Sequence, residues 1–298
     1  MTTRLGHLST ETARAERAGI DRLPTGELVR LMNEDDAAVP AAVERAAPQI
    51  AAAIDAIAAR LEPGGRLIYV GAGTAGRLGV LDASECGPTF NSDRVLAIIA
   101  GGPGAVSAAT ESAEDHADAG RADLAALAVT RQDAVVGISA SGRTPYVLGA
   151  IEHARGVDAL TVGLVGNAGA ELSAAVEHPI EVVVGPEFIA GSTRLKAGTA
   201  QKLVLNMLST LTMVRLGKTY GNLMVDVRVT NAKLRDRAQR IVEQVANAGP
   251  EQAAAALEGA DDDAKVAIVM LRTGASAGIA RERLAAANGH LRRALGEA

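Results

Sequence analysis

The apolar positions of this 298-residue chain fall into two regimes. From about residue 66 to residue 184, short unbroken apolar runs alternate with longer stretches of helical period. The runs lie at 66–70, 95–100, 133–138, 159–165 and 180–184. A strand reads this way when both faces of its sheet are covered, so the pattern predicts an α/β fold with a parallel five-stranded sheet flanked by helices. Ahead of the sheet, Thr25 and Glu27 cap a helix over about 26–33. An Ala-rich helix then follows Pro40 and stops at Pro63-Gly64-Gly65. Residues 1–25 hold no sustained period and are expected to be weakly ordered. Beyond Gly191 the pattern is helical, from about 192 to 216 and again through 231–246. It closes with helices over 251–257, 264–272, 275–286 and 290–295. Three parts follow: an N-terminal helical segment (1–52), a sheet domain (53–235) and a small C-terminal all-helical module (236–298).

Two turns carry candidate chemistry. Gly71, Gly73 and Gly76 fit the G-x-G-x-x-G fingerprint between a strand and a helix. A dinucleotide site also needs an acid at the far end of the next strand to hold the ribose. That strand, 95–100, ends instead in Gly101-Gly102-Pro103-Gly104, and Asp93 stands before it, at the wrong edge of the sheet. The turn therefore reads as a cradle for one phosphate, offering Gly73 and the Thr74 hydroxyl at a helix start. The second turn, Ser139-Ala140-Ser141-Gly142-Arg143-Thr144-Pro145, brings the hydroxyls of Ser139, Ser141 and Thr144 and the glycine Gly142 to another helix start. Such clusters also make ordinary βα turns and N-caps. Two of them on one sheet favour an anion site. Ser192 and Lys196 stand at a later helix start, where a hydroxyl and a cation can reach a phosphate or lie in a solvated first turn.

Composition narrows the function classes. Aromatic residues make up 2% of the chain with no Trp, and the formal net charge is −5. Stacking platforms and a cationic footprint are both missing, which argues against nucleic acid and anionic membranes as partners. Cys86 is the only cysteine, which excludes intrachain disulfides and cysteine zinc sites. His7, His116, His153, His178 and His290 show no metal-ligand spacing, so neither metal nor redox cofactor is expected. The N-terminus has no apolar signal core and 95–110 is broken by glycines and proline, so a soluble cytoplasmic protein is expected. Two carboxylates follow strand ends: Glu85, where a helix is expected to stop at Gly87-Pro88, and Glu114, on the helix after the second strand. Such a pair suits proton transfer if its surroundings keep one acid protonated and the other ionised. Glu111 and Asp115 lie beside Glu114, and the pattern alone leaves the choice of acid open.

Taken together, these segments resemble the N-acetylmuramic acid 6-phosphate etherase family, sugar-phosphate lyases of the SIS (sugar isomerase) fold. The resemblance rests on Tyr69-Val70-Gly71-Ala72-Gly73-Thr74, Leu81-Asp82-Ala83-Ser84-Glu85-Cys86, Ala140-Ser141-Gly142-Arg143-Thr144-Pro145-Tyr146-Val147, Gly191-Ser192-Thr193-Arg194-Leu195-Lys196 running on to Lys202, and Gly221-Asn222-Leu223-Met224-Val225-Asp226-Val227. It implies an SIS-type sheet and a homodimer with its site near the subunit boundary. It also implies a cofactor-free lyase that splits the D-lactyl ether of an amino-sugar phosphate, with Glu85 as proton donor and Glu114 as base. Ala75 stands where the family usually has Ser, Gly87 where it has Pro, and Ser139 where it has Ala. Two rival functions share the fold: a sugar-phosphate isomerase, and a non-catalytic sugar-phosphate sensor like the glucokinase regulatory protein. Neither has use for both glutamates.

Overall fold

The apolar runs form β1 (Leu67–Gly71), β2 (Val95–Ile99), β3 (Ala134–Ser139), β4 (Leu160–Val165) and β5 (His178–Glu181). All neighbouring pairs are parallel, in the order β2-β1-β3-β4-β5. The three central strands are buried along their whole length, while the edge strands β2 and β5 are only partly covered. β5 starts earlier than its apolar run because its partner sets its length. Val162 pairs with His178 and Val165 with Glu181, and β4 ends there. This computed structural model describes residues 9–108, 110–229 and 231–297.

Two compact units are present, one of Met1–Ala83 with Arg94–Ser209 and the other of Ser84–Asp93 with Thr210–Ala298. In the first, α1 (Thr25–Asp36), α2 (Val39–Arg45) and α3 (Ala47–Leu61) precede the sheet. The helix expected after Pro40 is thus two helices, divided at Ala46, and Pro48 takes the early position where a proline costs no helical hydrogen bond. α4 (Gly73–Phe90) follows β1, α5 (Ala117–Ala126) and α6 (Pro145–Gly156) flank β3 in sequence, and α7 (Glu171–Ala175) follows β4. α8 (Lys196–Arg215), like α4, contributes residues to both units.

One sheet face packs Ile68, Val70 and Val135 against Tyr146, Val147 and Ala150 of α6 and Leu124 of α5. The alternate residue Tyr69 points the other way, as the period of two requires. Its hydroxyl donates to Asp82 Oδ2 of α4 at 2.8 Å, and Asp82 Oδ1 accepts from Asn206 Nδ2 (2.7 Å) and Ser209 Oγ (3.2 Å) of α8. Burial pushes the Asp82 carboxyl above its usual range, and these three donors pull part of the way back. Buried polar groups joined this way specify one packing of α4 and α8.

Three expectations change. α4 does not stop at Gly87-Pro88 but runs through Pro88 to Phe90. Pro88 has no N–H to give the ladder, yet Cys86 and Phe90 are buried at 2% and 5% exposure and hold the last turn. The turn closes where Asn91, at φ 47°, donates to Gly87 O at 3.0 Å. Glu114 lies not on an α-helix but on a 3-10 turn, Glu111–Asp115, ahead of α5. The N-terminal stretch expected to be weakly ordered forms 3-10 turns at Ser9–Glu11, Ala15–Arg17 and Ile20–Arg22, with Thr10 fully buried; residues 1–8 lie outside the described residues.

The second unit gathers α9 (Ala232–Ala246), α10 (Pro250–Gly259), α11 (Ala264–Thr273), α12 (Ala277–Ala286) and α13 (Leu291–Leu295) around one apolar core. Side-chain caps start α9, α11 and α12: Asn231, Asp263 and Ser276 accept from Leu234, Val266 and Ile279 N–H. Lys265 is buried there with its Nζ on Asp226 Oδ2 at 2.6 Å and Gly289 O at 2.8 Å. Among the described residues no helix is long and apolar enough to cross a membrane.

Candidate functional site

The sheet order decides where a ligand can sit. β1 has β2 on one side and β3 on the other, so the connections leaving β1 and β3 diverge. Crevices open at the carboxyl ends of strands at such a switch point. Gly71 pairs with Ile138, which sets the two hydroxyl turns side by side. Between them is a cavity of about 340 Å³, lined by Gly73, Thr74, Ser139, Ser141, Thr144 and Glu114. That volume suits a small sugar phosphate. Glu11, Gly191, Thr193 and Gln201 complete its polar wall.

The glycine fingerprint brings Gly73 and Thr74 here by close packing. A Cβ on Gly71 would stand 2.6 Å from Gly76 N, and one on Gly76 would stand 2.6 Å from Ile99 Cγ1. Their absence lets α4 close onto β1 and β2, with its first turn at the crevice.

The second turn is a hydroxyl cluster. Ser139 Oγ lies 2.8 Å from Thr144 Oγ1 and 3.3 Å from Ser141 Oγ, and it accepts from Gly142 N at 3.0 Å. Arg143 N donates to Ser141 Oγ at 3.2 Å. Thr144 occupies the N-cap position of α6, yet its side chain makes no capping bond. Its hydroxyl meets Ser139 instead, which is not what an ordinary N-cap does. Replacing Thr144 with Val is expected to weaken inorganic phosphate binding about tenfold, measured by titration calorimetry; unchanged affinity would show that the cluster only shapes the loop.

Glu114 is exposed and reaches the cavity from its 3-10 turn. The turn is anchored from behind, because Ala113 packs against the core that α6 shares with β1. The loop before it is pinned by Arg77, whose Nε and Nη2 donate to Val106 O and Ala108 O, both at 3.0 Å.

Other expected site residues lie elsewhere. Gly142 stands behind the lining and braces Ser139 through its N–H. Ser192 does not line the cavity, although its neighbours Gly191 and Thr193 do. Lys196 is 3% exposed, off the cavity wall, with its Nζ 3.3 Å from Asp35 Oδ2. Arg14 donates to the other Asp35 oxygen at 2.7 Å. Glu187, also buried, caps α8 by accepting from Lys196 N and Ala197 N at 2.9 and 3.0 Å. Glu85 is exposed on the C-terminal part of α4, in the second unit, and is not among the cavity-lining residues.

Among the lining residues, the polar side chains of Glu11, Thr193 and Gln201 are not sequence candidates. The last two share the segment that carries Ser192 and Lys196, so the motif was there to be extended. Glu11 had no local signal, since charged residues surround it in the sequence.

The family model for the glucokinase regulatory protein N-terminal SIS domain matches residues 49–155. A phosphoheptose isomerase from Francisella tularensis has a similar fold, with a TM-score of 0.52 and 22% identity over 64% of this chain and all of that one. Proteins named N-acetylmuramic acid 6-phosphate etherase match over the full length. The one from Rubrobacter xylanophilus is 64% identical over 100% of this chain and 99% of its own. That from Streptomyces coelicolor is 59% identical over 99% and 96%, and that from Mycolicibacterium smegmatis 52% over 98% and 99%. With identity of this extent across both compact units, the chain belongs to the N-acetylmuramic acid 6-phosphate etherase family.

Proposed function

We propose that this protein is a carbon–oxygen lyase that removes the D-lactyl ether from N-acetylmuramic acid 6-phosphate, giving N-acetylglucosamine 6-phosphate and D-lactate. The observation that supports this reading is one cavity lined both by Glu114 and by the hydroxyls of Thr74, Ser139, Ser141 and Thr144. Family membership supplies the substrate class.

The chemistry follows from the open-chain sugar, whose C1 aldehyde acidifies the C2 hydrogen. Glu114 as carboxylate takes that proton, and the electron pair forms a C2–C3 double bond. The C3–O bond breaks as an acid gives its proton to the lactate oxygen, the role that the family resemblance assigns to Glu85. Water then adds across the double bond, hydroxyl to C3 and proton to C2. The phosphate does not react, so binding it at Thr74, Ser141 and Thr144 positions the reacting carbons without being consumed in the chemistry. Membership in the family supports a cytoplasmic homodimer working in cell-wall amino-sugar catabolism.

The test is direct. Purified protein given N-acetylmuramic acid 6-phosphate in deuterium oxide is expected to release lactate and leave deuterium at C2 of the amino sugar. Lactate release without deuterium at C2 would replace elimination with direct displacement. Conversion of the sugar without lactate would favour an isomerase, and binding without conversion a sensor.

A further inference from the structure

We propose that Glu11 is a substrate-positioning residue whose carboxylate grips the hydroxyl and acetamido N–H donors of the sugar, at the end of the cavity away from the phosphate. The proposal rests on the etherase reading for the identity of that sugar. Four observations carry it.

Glu11 lines the same cavity as the hydroxyl turns. The two residues before it are bolted to the carboxyl end of the sheet. Ser9 N and Ser9 Oγ both donate to Asn167 Oδ1 at 2.9 Å, and Asn167 Nδ2 donates to Thr10 Oγ1 at 3.2 Å and to Ala140 O at 2.9 Å. Thr10 O in turn accepts from Gly191 N at 3.0 Å. One asparagine beyond β4 thus ties the N-terminal turn to the β3 hydroxyl loop, and these ties fix the backbone from which the Glu11 side chain leaves. A side chain fixed beforehand in a binding geometry loses less entropy when the ligand arrives.

Room has been kept for that carboxylate. Gly191 has φ +76°, and a Cβ on it would stand 2.9 Å from Glu11 Oε2. Any other residue there would both strain the backbone and push the acid away.

Charge then fixes which end of the substrate Glu11 meets. Among the described residues lining the cavity there is no Lys or Arg, whereas Glu11 and Glu114 are both there. A phosphate dianion is repelled by a carboxylate and accepted by hydroxyls, so it belongs at Ser139, Ser141 and Thr144. Glu11 can only accept hydrogen bonds when ionised, and the sugar's hydroxyls and acetamido N–H are the donors that the substrate brings.

The same cavity has a further group awaiting a ligand. Gln201 is 4% exposed, lines the cavity, and its Nε2 has no hydrogen-bond partner among the described residues. Buried amides left unpaired are costly, and a sugar rich in oxygen acceptors can satisfy this one. An acceptor and a donor in one cavity match a polyol better than they match a bare anion.

Glu11→Ala and Glu11→Gln in the full chain test this against the wild type. Loss of a charged hydrogen bond is expected to raise KM for N-acetylmuramic acid 6-phosphate about 10- to 100-fold with kcat within about threefold. In titration calorimetry, N-acetylglucosamine 6-phosphate should lose affinity by a similar factor, while inorganic phosphate binds as well as before or more tightly. The Gln variant, which keeps one acceptor, should fall between wild type and Ala. A merely structural role would weaken both ligands together and lower the thermal midpoint, and that result overturns the proposal. So does an unmoved affinity for N-acetylglucosamine 6-phosphate. Wild-type protein that releases no lactate would sink the etherase reading separately, since the two calorimetric affinities do not depend on turnover.

Discussion

Replacing Glu114 with Gln is expected to slow lactate release by about 10²- to 10⁴-fold, the usual contribution of a positioned general base. Glutamine keeps the size and the hydrogen-bonding reach of the side chain and removes only its basicity. Glu114 is exposed on its 3-10 turn, and the turn is held by Ala113 in the core and by Arg77 on the preceding loop. The substitution should therefore leave the thermal midpoint and substrate affinity near wild type. A second variant separates the two acids by what each does. With Glu85→Gln, lactate release should also fall, but deuterium should still exchange into C2 of unreacted substrate, because the base remains. With Glu114→Gln that exchange should vanish. Turnover within about tenfold of wild type in the Glu114 variant would remove its assigned role. Exchange lost in both variants would mean that the proton is not taken by Glu114 alone.

How much of this could be read from the sequence depended on how local the cause was. β1, β3 and β4 are buried on both faces, and their unbroken apolar runs say so directly. The two hydroxyl turns were legible as an anion site because two of them follow strands of one sheet; either alone reads as an ordinary βα turn. That they adjoin was not, since it depends on β3 pairing with β1. The end of α4 was misplaced because Gly87-Pro88 is a strong local stop, and the burial of Cys86 and Phe90 overrides it. Glu114 could not be told from Glu111 or Asp115 by pattern, and only the family resemblance singled it out. Glu11 was invisible for the opposite reason: its place is set by Asn167 and Gly191, more than 150 residues away in sequence. For Lys196 the sequence leaves open a cation that reaches a phosphate and a solvated first turn, and its burial against Asp35 is neither, because that partner lies on a distant helix.

The structure gives that lysine different work, and stability is where it should show. Lys196→Met is expected to destabilise the fold by about 3 kcal/mol, the lower end for breaking a buried pair. For a chain of this size that lowers the thermal midpoint by about 5 °C. The lower end applies because Asp35 keeps Arg14 at 2.7 Å after Lys196 is gone. Burial works against the Asp35 carboxylate, but Arg14 and Lys196 outweigh it and hold its pKa below the usual value. Such a group contributes stability above about pH 4, and loses it as pH falls through its depressed folded value. Glu187 shifts the other way: burial raises it, and the helix N–H groups and the Lys196 charge offset part of the rise. A raised carboxyl costs stability as pH climbs through its folded value, and removing Lys196 raises it further. Both effects have the same sign, so the gap between wild type and Lys196→Met should be widest at neutral pH; the Glu187 share fades as pH falls toward about 4, and the Asp35 share only below that. A phosphate ligand would behave otherwise. If the variant melts with the wild type while its KM climbs, Lys196 serves the substrate and the Asp35 pair is incidental.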